Sequence, residues 1–289
     1  MKVLLLGAQG QLGHELLQGL SGSMAVVPVV REHLPGWPEA IRCNLGNASQ
    51  WDRLWESFAA EGGPDLIVNA AAWTAVDAAE DEKEAAELLN HHLPASLAQY
   101  AQRHNIRLIH VSTDYVFPGD ADQAYVETDI TGPNSVYGRT KLAGEQAVLR
   151  SGADAMIART SWVYSGRRQN FVRAMLSRML KQQPLRVVAD QYGCPTWARD
   201  IARGIQIMAQ SWPQHLASAE VSPAREAAVE TERIFHLAGS DSGSWYDFAQ
   251  HIAQAAVSLN LLSETPELSP ITTTEFPVKA PRPAWSVLN

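Results

Sequence analysis

The chain has 289 residues, 46% hydrophobic and 19% charged, with a formal net charge of −8. Such a composition fits a globular protein of one large or two unequal domains, and the lack of any Lys/Arg run excludes a nucleic-acid binder driven by a basic face. Cys43 and Cys194 are the only cysteines and lie far apart, which excludes a disulfide framework or a CxxC metal site. No apolar stretch approaches the roughly 18 residues of a membrane span, so a cytoplasmic, non-membrane protein is expected.

The first half alternates short apolar runs with helical patterns. "KVLLLG" reads as a strand and "LGHELLQGL" as a helix with Leu12, Leu16 and Leu20 on one face. "AVVPVV" is a second strand, with Pro28 suggesting an edge or an irregular turn. "SQWDRLWESFAA" predicts a helix capped by Ser49, on which Trp51 and Trp55 at i, i+4 read as packing. "PDLIVNAAA" is a third strand, and the Ala- and Glu-rich stretch from about Asp81 to Asn105 predicts one long helix. "IRLIHVST" and "ADAMIART" are further strands, with a helix between them. Strands alternating with helices imply a Rossmann-type, doubly wound parallel sheet.

After Thr160 the rhythm breaks into helices separated by Gly- and Pro-rich turns. The expectation is a dinucleotide-binding domain over residues 1–160, with 196–212 packing back on it, and a smaller substrate-binding lobe over 161–289. Ser211 to Arg233 is polar and Ala/Glu-rich and reads as a long exposed insertion or a partly disordered loop. A short strand, "RIFHLAG", and a helix from about Ser244 follow.

Gly7, Gly10 and Gly13 form a GxxGxxG loop between the first strand and the first helix. There, glycines allow a tight turn and close approach of a pyrophosphate, which the helix N-terminus favours electrostatically. The second strand ends in Arg31 followed by Glu32. A basic residue at that point tolerates a ribose 2′-phosphate and an acidic one accepts ribose hydroxyls, so both NADPH and NADH stay open, with Arg31 favouring NADPH.

"HVSTDYVFPG" puts Ser112, Thr113 and Asp114 at the C-terminal end of a strand, where ligands of doubly wound sheets sit. Tyr137 and Lys141, four apart in "NSVYGRTKLAGE", share one face of a helix. A hydroxyl at 113 can hydrogen-bond a carbonyl while Tyr137 protonates it. Lys141 is expected to lower the phenol pKa from its usual value of about 10. His110 reads as a satisfied core residue, and His91-His92 carries no metal-binding pattern.

The glycine loop and the YxxxK pair resemble the extended short-chain dehydrogenase/reductase superfamily. "NAAAWTAVDAAE", "STDYVFPG", "VYGRTKLAGE", "RTSWVYS", "NFVRAML", "VVADQYGCPT", "FHLAGSDSGSWYDFA" and "RPAWSVLN" go further and resemble the dTDP-4-dehydrorhamnose reductase family over nearly the whole chain. That resemblance implies NAD(P)H-dependent reduction of the C4 keto group of a dTDP-4-dehydro-6-deoxyhexose. It implies Tyr137 as proton donor, Lys141 as its pKa modulator and ribose ligand, Thr113 as carbonyl hydrogen-bonder and Asp114 as substrate contact. Trp162, Thr74 and Val76 would line the sugar pocket. Gly10, Gln11 and Leu12 would meet the pyrophosphate, Ala70, Ala71 and Ala72 would pass under the nicotinamide side, and Asn44-Leu45 would face the adenine.

Asn44 stands where the family usually has Asp, and family members continue beyond the "RPxxSxLN" motif at which this sequence ends. Magnesium supports dimerisation in some members, with Glu15 the residue that would take part here; a homodimer is compatible with the sequence and no metal site is assigned. Two other readings stay in view: a non-catalytic NADP-binding regulatory subunit like that of methionine adenosyltransferase, and another nucleotide-sugar reductase or epimerase. Intact Thr113, Tyr137, Lys141 and Trp162 favour an enzyme over the first, and the C-terminal motifs argue against an epimerase.

Overall fold

A computed structural model describes residues 1–60, 62–212 and 232–289. Most of the Ser211 to Arg233 segment lies outside the described residues. Its described ends are anchored: Trp212 donates its indole N–H to the Asp154 carboxylate (2.9 and 3.0 Å) and Arg233 donates to the Ala153 carbonyl (3.2 Å).

Seven parallel strands form the main sheet. In chain order the first six are β1 (Lys2–Leu6), β2 (Ala25–Val30), β3 (Ile41–Arg42), β4 (Leu66–Asn69), β5 (Arg107–Thr113) and β6 (Ala155–Thr160). β1, β4 and β6 are almost wholly buried, as expected of strands covered by helices on both faces. Pro28 sits inside β2, opposite Leu5 of β1, while β3 pairs only with Val29 and Val30. The proline's missing N–H therefore costs no ladder bond on its outer side.

One face of the sheet packs on α1 (Gln11–Leu20), whose Leu12, Leu16, Leu17 and Leu20 are buried. The other packs on α2 (Trp51–Ala60) and the helices after β4, around Trp51, Trp55, Leu93 and Leu97. Asn47, not Ser49, is the cap before α2: its side chain accepts from Ser49 N–H and starts a short 3₁₀ turn that leads into the helix. Asn at that position closes an Asx turn on the backbone two residues on, which a Ser at 49 cannot do from inside the turn.

The expected single helix from 81 to 105 is broken into pieces. α3 (Val76–Ala79) and α4 (Lys83–Glu87) precede a π-turn at Leu88–His92, and α5 (Leu93–His104) follows. The π-turn carries Asn90, fully buried, whose amide bonds Trp73 N–H and C=O (2.8 and 3.1 Å) and Thr140 Oγ1 (3.1 Å). Gly144 of α6 (Val136–Arg150) lies so close to this turn that a Cβ there would stand 2.0 Å from the Asn90 carbonyl oxygen. Hydrogen-bonding demand and close helix approach override the local helix preference.

Beyond β6 come β7 (Val163–Tyr164), α7 (Phe171–Leu180), β8 (Leu185–Val188), β9 (Tyr192–Gly193) and β10 (Thr196–Trp197). α8 (Ala198–Gln210) then returns to the first core, where Ile201, Ala202, Ile205 and Met208 pack with the leucines of α1. β11 (Ile234–His236) adds the seventh strand beside β6. β12 (Gly243–Ser244) leads into α9 (Trp245–Ser258), which a Ser244/Asp247 capping box starts. α7, α9, β8 and β13 (Leu268–Ile271) share a smaller apolar cluster. The last residues cross back: Tyr125 N–H donates to Val287 C=O (2.8 Å), and Arg282 pairs with Asp77 (2.7 Å). No helix among the described residues is long and apolar enough to cross a membrane.

Candidate active site

β1, β4, β5 and β6 all end on one edge of the sheet, and their following loops surround a cleft of about 750 Å³. Carboxyl ends of parallel strands are where doubly wound folds place ligands. Every site residue inferred from the sequence lines this single cleft: Gly7, Gly10, Gln11, Leu12, Gly13, Arg31, Asn44, Leu45, Ala70 to Ala72, Thr74, Val76, Thr113, Asp114, Tyr137, Lys141 and Trp162.

Two glycines of the loop are required by geometry. Gly7 has φ +79°, and a Cβ there would meet the Ala70–Ala71 backbone at 2.7 Å. At Gly13 a Cβ would stand 2.0 Å from the Gly7 carbonyl oxygen, so only glycine lets α1 pack against the strand end. α1 starts at Gly10 with no side-chain cap. Its first N–H groups are left for a ligand, and the dipole favours an anion. Glycine cradle, uncapped helix start and cleft together fit a dinucleotide.

Gln11, expected at the pyrophosphate, uses its side chain otherwise: Oε1 accepts from Ser165 and Asn170 (both 2.9 Å), which ties the loop after β7 to the glycine loop. Asn44 folds its carbonyl onto Gly46 N–H (3.1 Å) in a local turn. Glu15, raised as a magnesium ligand, receives Arg199 Nε at 3.3 Å.

At the other end of the cleft, Thr113 Oγ1 donates to Asp114 Oδ1 (2.9 Å) and accepts from Tyr115 N–H (3.3 Å). Burial pushes the Asp114 carboxyl up from 3.8 to about 6, the Ser286 and Thr113 hydroxyls acting the other way. Between those two values the unfolded chain has already lost a proton that the folded chain keeps, so stability falls as pH rises through that window. Asp114→Asn is expected to remove that part of the fall; melting temperatures of both proteins from pH 4 to pH 7 check it, and parallel curves would contradict it.

Ser135 caps α6 by accepting from Gly138 N–H (3.1 Å), which places Tyr137 in the first turn and Lys141 one turn on. The expectation that Lys141 lowers the phenol pKa is not met in this arrangement. Lys141 Nζ donates to the Val111 carbonyl (2.7 Å). Its own pKa is pulled down to about 8 by burial, against the Glu145 charge. The phenol is pushed up to about 12, by burial first and the Asp114 charge, with a hydrogen bond to Thr113 opposing. Desolvation is the largest cause of both shifts.

His110 is also not fully satisfied. Its Nδ1 lies 3.0 Å from the Asn69 amide nitrogen, its Nε2 has no hydrogen-bond partner, and burial with the Lys141 charge holds its pKa well below the usual range. A neutral ring accepting at Nδ1 is the consistent assignment. Glu87, His91 and His92 bring three donor atoms within 4.8 Å of one another, because the π-turn stacks i+4 and i+5 over i. The Glu87 carboxylate is taken up by His91 Nδ1 at 3.0 Å.

Trp162 has φ +44°, a conformation that non-glycine residues adopt at a cost of about 1–3 kcal/mol. Its indole stacks on Trp245 (centroids 3.4 Å, 4° between planes). Gly193 also lies against the indole, where a Cβ would be 2.4 Å from the ring. Trp245 also lines the cleft, as do Tyr115, Ser112, Thr160, Gln9 and Arg168. Sequence reasoning placed Ser112 at the same strand end as Thr113 but missed the other five. Trp245 carried a signal as the aromatic directly after a helix cap, whereas Arg168 in "SGRRQN" reads as an ordinary surface turn. Tyr115 meets Tyr137 edge-on (5.5 Å, 76°), and burial raises its pKa.

The family profile described as RmlD substrate binding domain matches residues 1–289. The dTDP-4-dehydrorhamnose reductase of Burkholderia thailandensis is 38% identical over 291 residues, covering 100% of this chain and 90% of the relative. Among solved structures, a dTDP-4-dehydrorhamnose reductase from Clostridium acetobutylicum superposes with a TM-score of 0.81 at 32% identity, covering 100% and 90% of the two chains. That from Bacillus anthracis, solved in complex with NADP, gives 0.78 at 30% identity, again covering 100% and 90%. The chain belongs to the dTDP-4-dehydrorhamnose reductase family.

Proposed function

We propose that the chain reduces the C4 keto group of dTDP-4-dehydro-6-deoxy-L-mannose to give dTDP-L-rhamnose, using NADPH or NADH. The observation that carries this reading is the convergence, in one cleft, of the glycine cradle with Thr113, Tyr137 and Lys141. When bound, the nicotinamide supplies the hydride. Tyr137 gives its phenolic proton to the sugar O4, so ketone plus hydride plus proton yields the alcohol. Thr113 already donates to Asp114, so its hydroxyl hydrogen must turn from that carboxylate to meet the carbonyl; Asp114 thereby sets when Thr113 is available. Lys141, buried and cationic below about pH 8, holds the ribose and offsets the phenolate left on Tyr137. Ala70 to Ala72 form the floor beneath the nicotinamide, and Asn44 with Leu45 flanks the adenine.

Trp162, Thr74 and Val76 wall the sugar end. Because a Cβ at Gly193 would stand 2.4 Å from the Trp162 ring, Gly193→Ala is expected to displace the indole and raise the KM for the sugar nucleotide on the order of tenfold or more, a small misplacement being costly near the reacting atoms. Steady-state kinetics check this; an unchanged KM would remove Trp162 from the sugar pocket. In domain terms, residues 1–160 with 196–212 carry the cofactor and the rest of 161–289 mainly the sugar nucleotide. Two free, buried cysteines suit a reducing compartment, which supports a cytoplasmic location.

The test is oxidation of NADPH or NADH by the purified chain with the dTDP-4-keto sugar generated in place, with the product identified chromatographically. Oxidation with formation of dTDP-rhamnose is expected. Nucleotide binding without turnover of any such sugar would overturn the proposal.

A further inference from the structure

Glu87, His91 and His92 stand where α4 runs into the π-turn, and the reduction described above uses none of them. On an α-helix, at about 100° per residue, the residue five places on lies about 140° round the axis from the first, so Glu87 and His92 would point apart. The π-turn at Leu88–His92 closes on the fifth residue instead of the fourth and brings both histidines back over Glu87. One donor atom from each side chain then lies within 4.8 Å of the other two. Read at helical spacing the sequence shows no metal-binding pattern here; the turn creates one.

The three groups are partly assembled. Glu87 Oε2 and His91 Nδ1 lie 3.0 Å apart, and both side chains are partly buried. A carboxylate can only accept, so Nδ1 carries the hydrogen of that bond. The His91 and His92 rings stack, with centroids 4.7 Å apart and 27° between planes. Among the described residues His91 is the one ion-pair partner of Glu87, so no lysine or arginine competes for the carboxylate, and neither ring nitrogen of His92 has a hydrogen-bond partner. Two imidazoles and one glutamate are the donor set of zinc sites that keep a fourth position for water. Imidazole nitrogen suits zinc, copper or nickel, whereas magnesium and calcium take oxygen. Zinc bonds of about 2.0–2.2 Å put neighbouring donors about 3.3 Å apart, and the exposed His92 side chain is the one free to close that gap.

We propose that Glu87, His91 and His92 form a binding site for a divalent transition metal, zinc in first place, and that the metal braces the π-turn. The ion takes the place of the proton between Glu87 and His91, which leaves to solvent. None of the three side chains lines the cleft, but Leu89 of the same turn does. Asn90 of the turn bonds Trp73 and Thr140, and Thr140 directly precedes Lys141. A clip across the three ligands therefore restrains, from outside the cleft, the turn against which α6 rests.

The test is calorimetric titration of the metal-free wild-type chain, Glu87→Gln, His91→Ala and His92→Ala with Zn²⁺ and, separately, Mg²⁺. The wild type is expected to bind one Zn²⁺ per chain and to give no comparable heat with Mg²⁺. Each variant should weaken Zn²⁺ binding by at least the about 10–100-fold lost when only a supporting residue of a metal site is removed. Electron paramagnetic resonance with Cu²⁺ reads the ligands themselves, with two nitrogen donors expected in the wild type and one in either histidine variant. Hydrogen exchange at the Trp73 amide, which donates to Asn90, should slow on addition of Zn²⁺ to the wild type and not to His92→Ala. Because His92 is exposed, its variant keeps the fold, so lost binding there reports a lost ligand. No one-to-one Zn²⁺ binding, or binding that either histidine variant leaves unchanged, would overturn the site. Unchanged exchange at Trp73 despite binding would overturn the brace. None of these readouts needs turnover, so they stand apart from any failure of the reductase reading.

Discussion

Tyr137→Phe is expected to leave cofactor binding intact and to lower kcat by about 10²–10⁴-fold, the usual contribution of a general acid. The ring is packed edge-on against Tyr115, and phenylalanine keeps that contact, so the variant removes one proton donor and little else. Burial raises the phenol to about 12, which favours its protonated form, the form that can donate to the sugar oxygen. A high pKa also makes it a reluctant donor. Movement of Lys141 from the Val111 carbonyl toward the phenol during turnover would ease that reluctance. Single-turnover kinetics with a parallel binding titration separate the two effects. A rate within about twofold of wild type would withdraw Tyr137 as the acid.

Glu145→Ala is expected to cost about 3–5 kcal/mol, because it leaves a buried guanidinium without its counter-charge. Arg159 and Glu145 are 3% and 1% exposed and bonded by three contacts, at 3.0, 3.3 and 2.8 Å. The guanidinium also lies 5.0 Å from the centre of the Phe117 ring, and its NH1 already lacks a partner. The pair clamps α6, which carries Tyr137 and Lys141, to β6. A loss of that size is a large share of the about 5–15 kcal/mol by which proteins are stable. Denaturant unfolding measures it directly. Replacing both members with apolar residues of similar size should recover most of the loss, and a cost below about 1 kcal/mol for the single variant would contradict the clamp.

The alternation of apolar strands and helices, the glycine spacing and the YxxxK pair were legible because each is a local pattern with one physical meaning. All the named site residues came together for the same reason: each sits just past a strand end or in the first turns of a helix. What the sequence concealed arises from tertiary demands. The break at Leu88–His92 reflects Asn90 bonding Trp73 and Thr140 across the fold, a contact with no signature in an Ala- and Glu-rich stretch. The state of the Tyr137–Lys141 pair was misjudged because spacing reports proximity, whereas the pKa values follow desolvation. Arg168 was invisible for another reason: its partner, the Gln9 carbonyl, is 159 residues away in sequence.

The most direct test of the central claim follows the hydride itself. The purified chain is supplied with NADPH deuterated at the transferable position and with the dTDP-4-keto-6-deoxy-L-sugar, and the product is examined by NMR and mass spectrometry. The account predicts dTDP-rhamnose carrying one deuterium, at C4, with incorporation about 10²–10⁴-fold slower when Tyr137→Phe replaces the wild type. Unchanged keto sugar beside intact cofactor, or deuterium at any carbon other than C4, would contradict it.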